Sequence, residues 1–64
     1  MKPEMGDYVS VKRDYNNIKE IVKVKYVSEK NKRFTAETKM GIEAYSFDDV
    51  YEIFTKESHP EMYL

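Results

Sequence analysis

The chain has no cysteine, which excludes disulfides and thiolate metal sites. It has no tryptophan, and one histidine, His59, cannot build a multi-histidine site. Its two glycines, Gly6 and Gly41, are isolated, so no glycine-rich phosphate loop exists. Apolar runs stop at two or three residues, against about 20 for a membrane-crossing helix. The first residues, Met1-Lys2-Pro3-Glu4-Met5-Gly6-Asp7, lack the apolar stretch of a signal peptide. The expectation is a cytoplasmic protein with no cofactor, no metal and no membrane contact.

What is there is small and heavily charged. The 64 residues predict one domain over 1–64, and a chain this short buries a modest share of its surface. Without a disulfide or metal staple, the fold must rest on its apolar core, helped by a partner or a second copy. Net charge is −1, but residues 1–33 carry nine Lys/Arg against five Asp/Glu and residues 34–64 two against seven. Such a split can mark an interaction surface, or simply let one half dock on the other. The frequent Lys, Ile, Tyr and Asn suggest an AT-rich genome, as in low-GC bacteria and their phages.

Alternation organises the chain. In Asp7 to Lys12, Val9 and Val11 fall on one face and Tyr8, Ser10 and Lys12 on the other. Arg13-Asp14-Tyr15-Asn16-Asn17 is polar and turn-forming. Ile18 to Ser28 is the strongest strand, rich in β-branched residues. Its parity puts Val22, Val24 and Tyr26 inward and Ile21, Lys23, Lys25 and Val27 outward. Glu29-Lys30-Asn31-Lys32 has hairpin length. Arg33 to Lys39 alternates again, with Phe34, Ala36 and Thr38 inward. Gly41 offers a turn or bulge, and Ile42 to Tyr45 reads as a short fourth strand.

The last third serves two readings. Ser46-Phe47-Asp48-Asp49 fits an N-cap followed by an acid three positions on. Phe47, Val50, Tyr51 and Phe54 then fall at helical spacing, which predicts a four-stranded antiparallel sheet with a C-terminal helix over about 47–58. The other reading is a 3-10 turn at 46–49 followed by a strand through Phe54. β-Branched and aromatic content favours the strand, and a helix leaves Ile53 off its stripe, so the turn-plus-strand reading is preferred. Pro60 ends any regular element, and 58–64 reads as a tail.

Two phrases bracket the chain, Gly6-Asp7-Tyr8-Val9-Ser10-Val11 and Ser46-Phe47-Asp48-Asp49-Val50. Over about residues 6–54 this pattern resembles SH3-like small β-barrels. The resemblance implies a mainly β barrel of about five strands with a 3-10 turn near 46–49, a fold that mostly binds. In such a barrel 13–17 is the long first loop. The chain departs from the KOW-type members, which place a glycine soon after the first strand where Arg13-Asp14-Tyr15-Asn16-Asn17 stands here. It also lacks the tryptophan with which signalling SH3 domains grip proline-rich peptides.

Candidate partner-binding residues fall into two groups. Lys19, Lys23, Lys25, Lys30, Lys32 and Arg33 lie along one hairpin, with Tyr15 nearby. A basic sheet face with aromatics can track a phosphate backbone and stack bases. A solvated face whose lysines deter edge aggregation is the alternative, and the low overall pI weighs against strong non-specific nucleic-acid binding. Tyr8 and Tyr45 fall on predicted outward faces and would form a protein-binding patch, unless they complete a second small core. The acids Glu43, Asp48, Asp49, Glu52, Glu57 and Glu61 would solvate a face or meet a basic groove, with Asp48 and Asp49 capping the turn. His59 beside Pro60 has no oriented partner, so no catalytic pair is expected.

The resulting expectation is a non-catalytic binding module, a protein-binding adaptor or inhibitor. An origin in a phage or mobile element would make it host-directed. The alternative is a nucleic-acid-binding barrel using the basic hairpin over 19–33. Self-association to a homodimer through an open edge is compatible with both.

Overall fold

A computed structural model describes residues 2–13 and 18–64. Five strands follow in chain order: β1 (Tyr8–Arg13), β2 (Ile18–Ser28), β3 (Arg33–Thr38), β4 (Gly41–Ser46) and β5 (Val50–Phe54). All pairings are antiparallel and the sheet runs β4-β3-β2-β1-β5. The last strand thus returns to lie beside the first. The five expected strands are present, but the sheet stays open: β4 and β5 are its edges and do not pair with each other.

The period-2 pattern explains the core. Val9 and Val11 from β1, Val22 and Val24 from β2, and Phe34 and Ala36 from β3 are all buried as their alternation predicts. Tyr45 of β4 and Val50 of β5 complete one cluster drawn from every strand. The Phe34 ring stacks on Tyr45 at 5.6 Å and lies 6.4 Å from Phe47. Aromatic area and interdigitated valines therefore carry a domain that has no other staple.

Two expected facings are overturned. Tyr26 is 71% exposed instead of buried. Val24 pairs Ala36 but Tyr26 pairs Thr35, so Lys25 is an extra residue in β2. That bulge reverses the parity of the strand, turning Tyr26 out and Val27 towards Phe34. Conversely Tyr45, expected outward, lies opposite Phe34 and is buried. A residue facing a core position across an antiparallel ladder shares its side of the sheet. A second irregularity, between Ser10 and Val11, leaves Tyr51 as the extra residue of β5.

Turns fix the registers. Glu29 to Lys32 joins β2 to β3, with Lys32 in the left-handed region at φ 53° and its N–H donating to Glu29 O at 3.3 Å. Lys39-Met40 joins β3 to β4, and Gly41 supplies φ 111° there, a region costly to residues with a Cβ. The ambiguous last third resolves as turn plus strand. Phe47–Asp49 is a 3-10 turn. The Asp48 N–H donates to Ser46 Oγ at 3.2 Å, and the Ser46 N–H donates to Asp49 Oδ2 at 2.9 Å. This reciprocal capping closes the turn within one step and frees Val50 to extend.

Both terminal segments are tied down. Pro3 is fully buried, and Asp7 N–H donates to Glu4 O at 3.1 Å across a turn with Gly6 at φ 90°. At the other end Pro60–Tyr63 forms a 3-10 turn, so the expected tail folds back. The Tyr8 N–H donates to Tyr63 Oη at 2.9 Å, and that hydroxyl donates to Phe54 O. One side chain thus bridges β1 and β5 at their last pair, Tyr8 and Phe54.

Candidate functional site

Side chains pointing away from the core form an outer face, and the Lys25 bulge divides it into two chemistries. On β1 and the first half of β2 the register sets Lys12 opposite Lys19, Ser10 opposite Ile21, and Tyr8 opposite Lys23. Lys19 Nζ lies 4.6 Å from the centre of the Tyr51 ring, and Lys23 Nζ 5.6 Å from that of Tyr8. The bulge in β5 is what brings Tyr51 under Lys19. Among the described residues none of these three lysines forms an ion pair. Cations held over ring faces on a sheet offer an anion both charge and an aromatic surface.

Past the bulge the outer face carries Tyr26, Thr35 and Ala44 in one row across β2, β3 and β4, followed by a row of Ser28, Arg33 and Ser46. Ile42, 57% exposed, lies in the row of Lys23 and Glu37 that borders the first. A shallow depression of about 210 Å³ opens here, bordered by Tyr26, Arg33, Thr35 and Ala44, with Val27 and Phe34 beneath. Thr35 Oγ1 is buried there and has no hydrogen-bond partner among the described residues. Met40, 75% exposed, stands at the neighbouring hairpin turn.

The basic hairpin of the sequence is therefore not one cluster. Lys19 and Lys23 share the outer face with Lys12. Lys25 sits on the bulge and pairs Glu37 at 3.9 Å. Lys30, Lys32 and Arg33 lie at the far end of the long β2 strand, at its turn into β3. Tyr8 faces outward as expected, its ring edge-on to Tyr63 at 5.1 Å. Tyr45 belongs to the core, and Tyr15 lies outside the described residues. Sequence reasoning missed Tyr26 and Tyr51, because each owes its position to a bulge. Lys12 was legible from alternation alone but not its place directly opposite Lys19.

His59 also has a defined setting. Its Nδ1 lies 2.9 Å from Ser58 Oγ, and its ring meets Phe54 edge-on at 4.9 Å. The Ser58 hydroxyl lies within hydrogen-bonding distance of Thr55 Oγ1 and Thr55 O as well. These contacts span one exposed turn from 55 to 58, closed by reciprocal Thr55 and Ser58 bonds.

Comparison with protein-family models, curated proteins and solved structures finds no match to this chain.

Proposed function

We propose that this chain is a non-catalytic, SH3-like binding module that docks a protein partner through the outer face of β2, β3 and β4. The observation that carries the reading is the reversal at Lys25. A backbone irregularity turns a large aromatic, Tyr26, out of the core and onto the face that also carries Ala44 and Ile42. Tyr at the centre of an exposed apolar patch, with Arg33 at its rim, has the composition of an interface core. The strand order β4-β3-β2-β1-β5 and the 3-10 turn before β5 support the SH3-like assignment. As an adaptor or inhibitor from a phage or mobile element, the module would meet a host protein. The test is capture from a low-GC bacterial lysate on the immobilised chain, beside Tyr26→Ser and Ile42→Ser. A stoichiometric protein held by the wild type and lost by both variants is expected. Failure to recover any stoichiometric protein would sink the reading.

A second reading has its own observation. Lys12 opposite Lys19 is a like-charge cross-strand pair, which is destabilising unless something anionic meets it. With Lys23, Tyr8 and Tyr51, this half would bind a nucleic-acid backbone and stack bases. Titration with single- and double-stranded oligonucleotides over a salt series tests it. No binding at low salt disposes of the idea.

A further inference from the structure

We infer that β4 is a strand acceptor: it takes up an extended partner segment of alternating apolar and basic residues as a sixth, antiparallel strand of the sheet. The inference rests on the protein-binding reading and names the chemistry of the segment that would engage it.

The two edges of the sheet are treated differently. β5 carries a bulge at Tyr51, and at its end the Phe54 carbonyl is already occupied by the Tyr63 hydroxyl. Bulges and covering segments are common means of blunting an edge. Among the described residues β4 shows none of them. Its six residues pair β3 without a register shift, and it contains neither proline nor lysine.

The direction of its free backbone groups follows from one hydrogen bond. The Phe47 N–H donates to Lys32 O at 3.0 Å, in line with the β3–β4 ladder. Bonded and non-bonded pairs alternate in an antiparallel ladder. Tyr45, Glu43 and Gly41 are therefore the residues bonded to β3, while Ser46, Ala44 and Ile42 face away. The Ser46 N–H obeys this, for it donates to Asp49 Oδ2 outside the sheet. The N–H and C=O of Ile42 and Ala44 are left as two complete rungs for an incoming strand.

Side-chain chemistry then specifies that strand. Residues opposite Ile42 and Ala44 would project onto the outer face, where the one opposite Ala44 extends the row of Tyr26, Thr35 and Ala44 and the other packs beside the exposed Ile42, so they are apolar. The residue between them would sit opposite Glu43, which is exposed and among the described residues accepts only from Thr38 Oγ1, at 3.0 Å, so it is Lys or Arg. The nearby turn adds Asp48 and Asp49, reinforcing the preference for cations.

A second copy fits less well. Pairing β4 with itself must match outward-facing residues to one another. One such register sets Glu43 against Glu43, repulsive at cross-strand distance. The register centred on Ala44 needs the Ser46 N–H, which the turn cap already holds.

The probes are capped eight-residue peptides of alternating Val and Lys, of alternating Val and Glu, and a proline-interrupted peptide of the Val/Lys composition. The Val/Lys peptide should bind, slowing hydrogen exchange at the Ile42 and Ala44 amides at least tenfold. The other two should leave those amides unprotected. Glu43→Lys should reverse the preference between the Val/Lys and Val/Glu peptides. Ala44→Pro removes one free N–H without touching a β3 bond and should abolish binding while the circular dichroism spectrum is kept. Equal binding of the Val/Lys and proline-interrupted peptides, absence of protection at Ile42 and Ala44, or an unchanged preference in Glu43→Lys overturns the inference. A captured protein partner that Glu43→Lys still holds at full strength would also overturn it, while leaving the protein-binding reading intact.

Discussion

Tyr63 sits near the end of the chain, yet its hydroxyl replaces the last rung between β1 and β5. Tyr63→Phe keeps the ring and its 5.1 Å contact with Tyr8. It removes one acceptor for the Tyr8 N–H and one donor to the Phe54 carbonyl. Each hydrogen bond contributes about 0.5–1.5 kcal/mol net, and the site is part-buried, so water recovers some of the loss. The expected destabilisation is about 1–2 kcal/mol. That matters in a domain this small, because a core of this size supplies only about 3–5 kcal/mol. With a urea m-value of about 1 kcal/mol/M for a chain of this length, the midpoint should fall by about 1–2 M. Urea titration followed by circular dichroism measures this, with deletion of the fully exposed Leu64 as a control expected to change nothing. Removing residues 59–64 should cost more than Tyr63→Phe, since it also forfeits the ring contacts of Tyr63 and His59. A midpoint for Tyr63→Phe within about 0.3 M of wild type would refute the clasp, because both orphaned backbone groups should register at that sensitivity.

Four further outcomes follow from the same physics. Phe34→Ala removes the ring stacked on Tyr45 and should cost about 3–5 kcal/mol, enough to leave no cooperative thermal transition. Lys25→Ala keeps the bulge and loses only a long, exposed ion pair, so its stability should stay within about 0.5 kcal/mol of wild type. Deleting Lys25 removes the bulge but leaves Val24 opposite Ala36, Tyr26 opposite Thr35 and Val27 opposite Phe34, so the facings persist and the domain should still fold, as read by one-dimensional NMR dispersion. Ser46→Ala removes the hydroxyl that accepts the Asp48 N–H and should cost about 1 kcal/mol in urea titration.

The sequence was informative wherever one rule acted alone. Alternation placed Val9, Val11, Val22, Val24, Phe34 and Ala36 in the core, because a strand with one dry face has no other register. The 3-10 turn at 47–49 was legible because Ser46 and Asp49 cap each other whatever the surroundings. Tyr26 and Tyr51 were not, since each depends on an extra residue whose position is set by pairing with another strand. Tyr45 is the subtler case. Its own short strand carries too little alternation to declare a facing, and only its partner Phe34 decides it. Tyr63 was read as tail because the C-terminal segment has no regular pattern; its anchor is a hydroxyl meeting two backbone groups that no periodicity encodes. The lysines failed as a cluster for a simpler reason. A long strand carries neighbours in sequence to opposite ends of the sheet, so the basic run became three separate environments.

Salt separates the two chemistries that the Lys25 bulge divides. A polyanion held by Lys12, Lys19 and Lys23 would release about three counterions, and its affinity should fall roughly 500-fold for a tenfold rise in salt, from a slope of about −0.9 per contact. A protein segment on the other half draws on Tyr26, Ile42 and Ala44 and, where it adds to β4, on backbone rungs. The ionic part there, Glu43 with Asp48 and Asp49 nearby, is exposed, while the apolar and backbone contacts do not respond to screening, so the slope is shallower. The slope of affinity against salt therefore reports which half of the sheet is engaged, before any partner is identified. A steep slope that Lys19→Ala reduces by about 0.9 and Tyr26→Ser leaves untouched assigns the binding to the lysine half. A shallow slope with the opposite mutational pattern assigns it to the half that the bulge turned out.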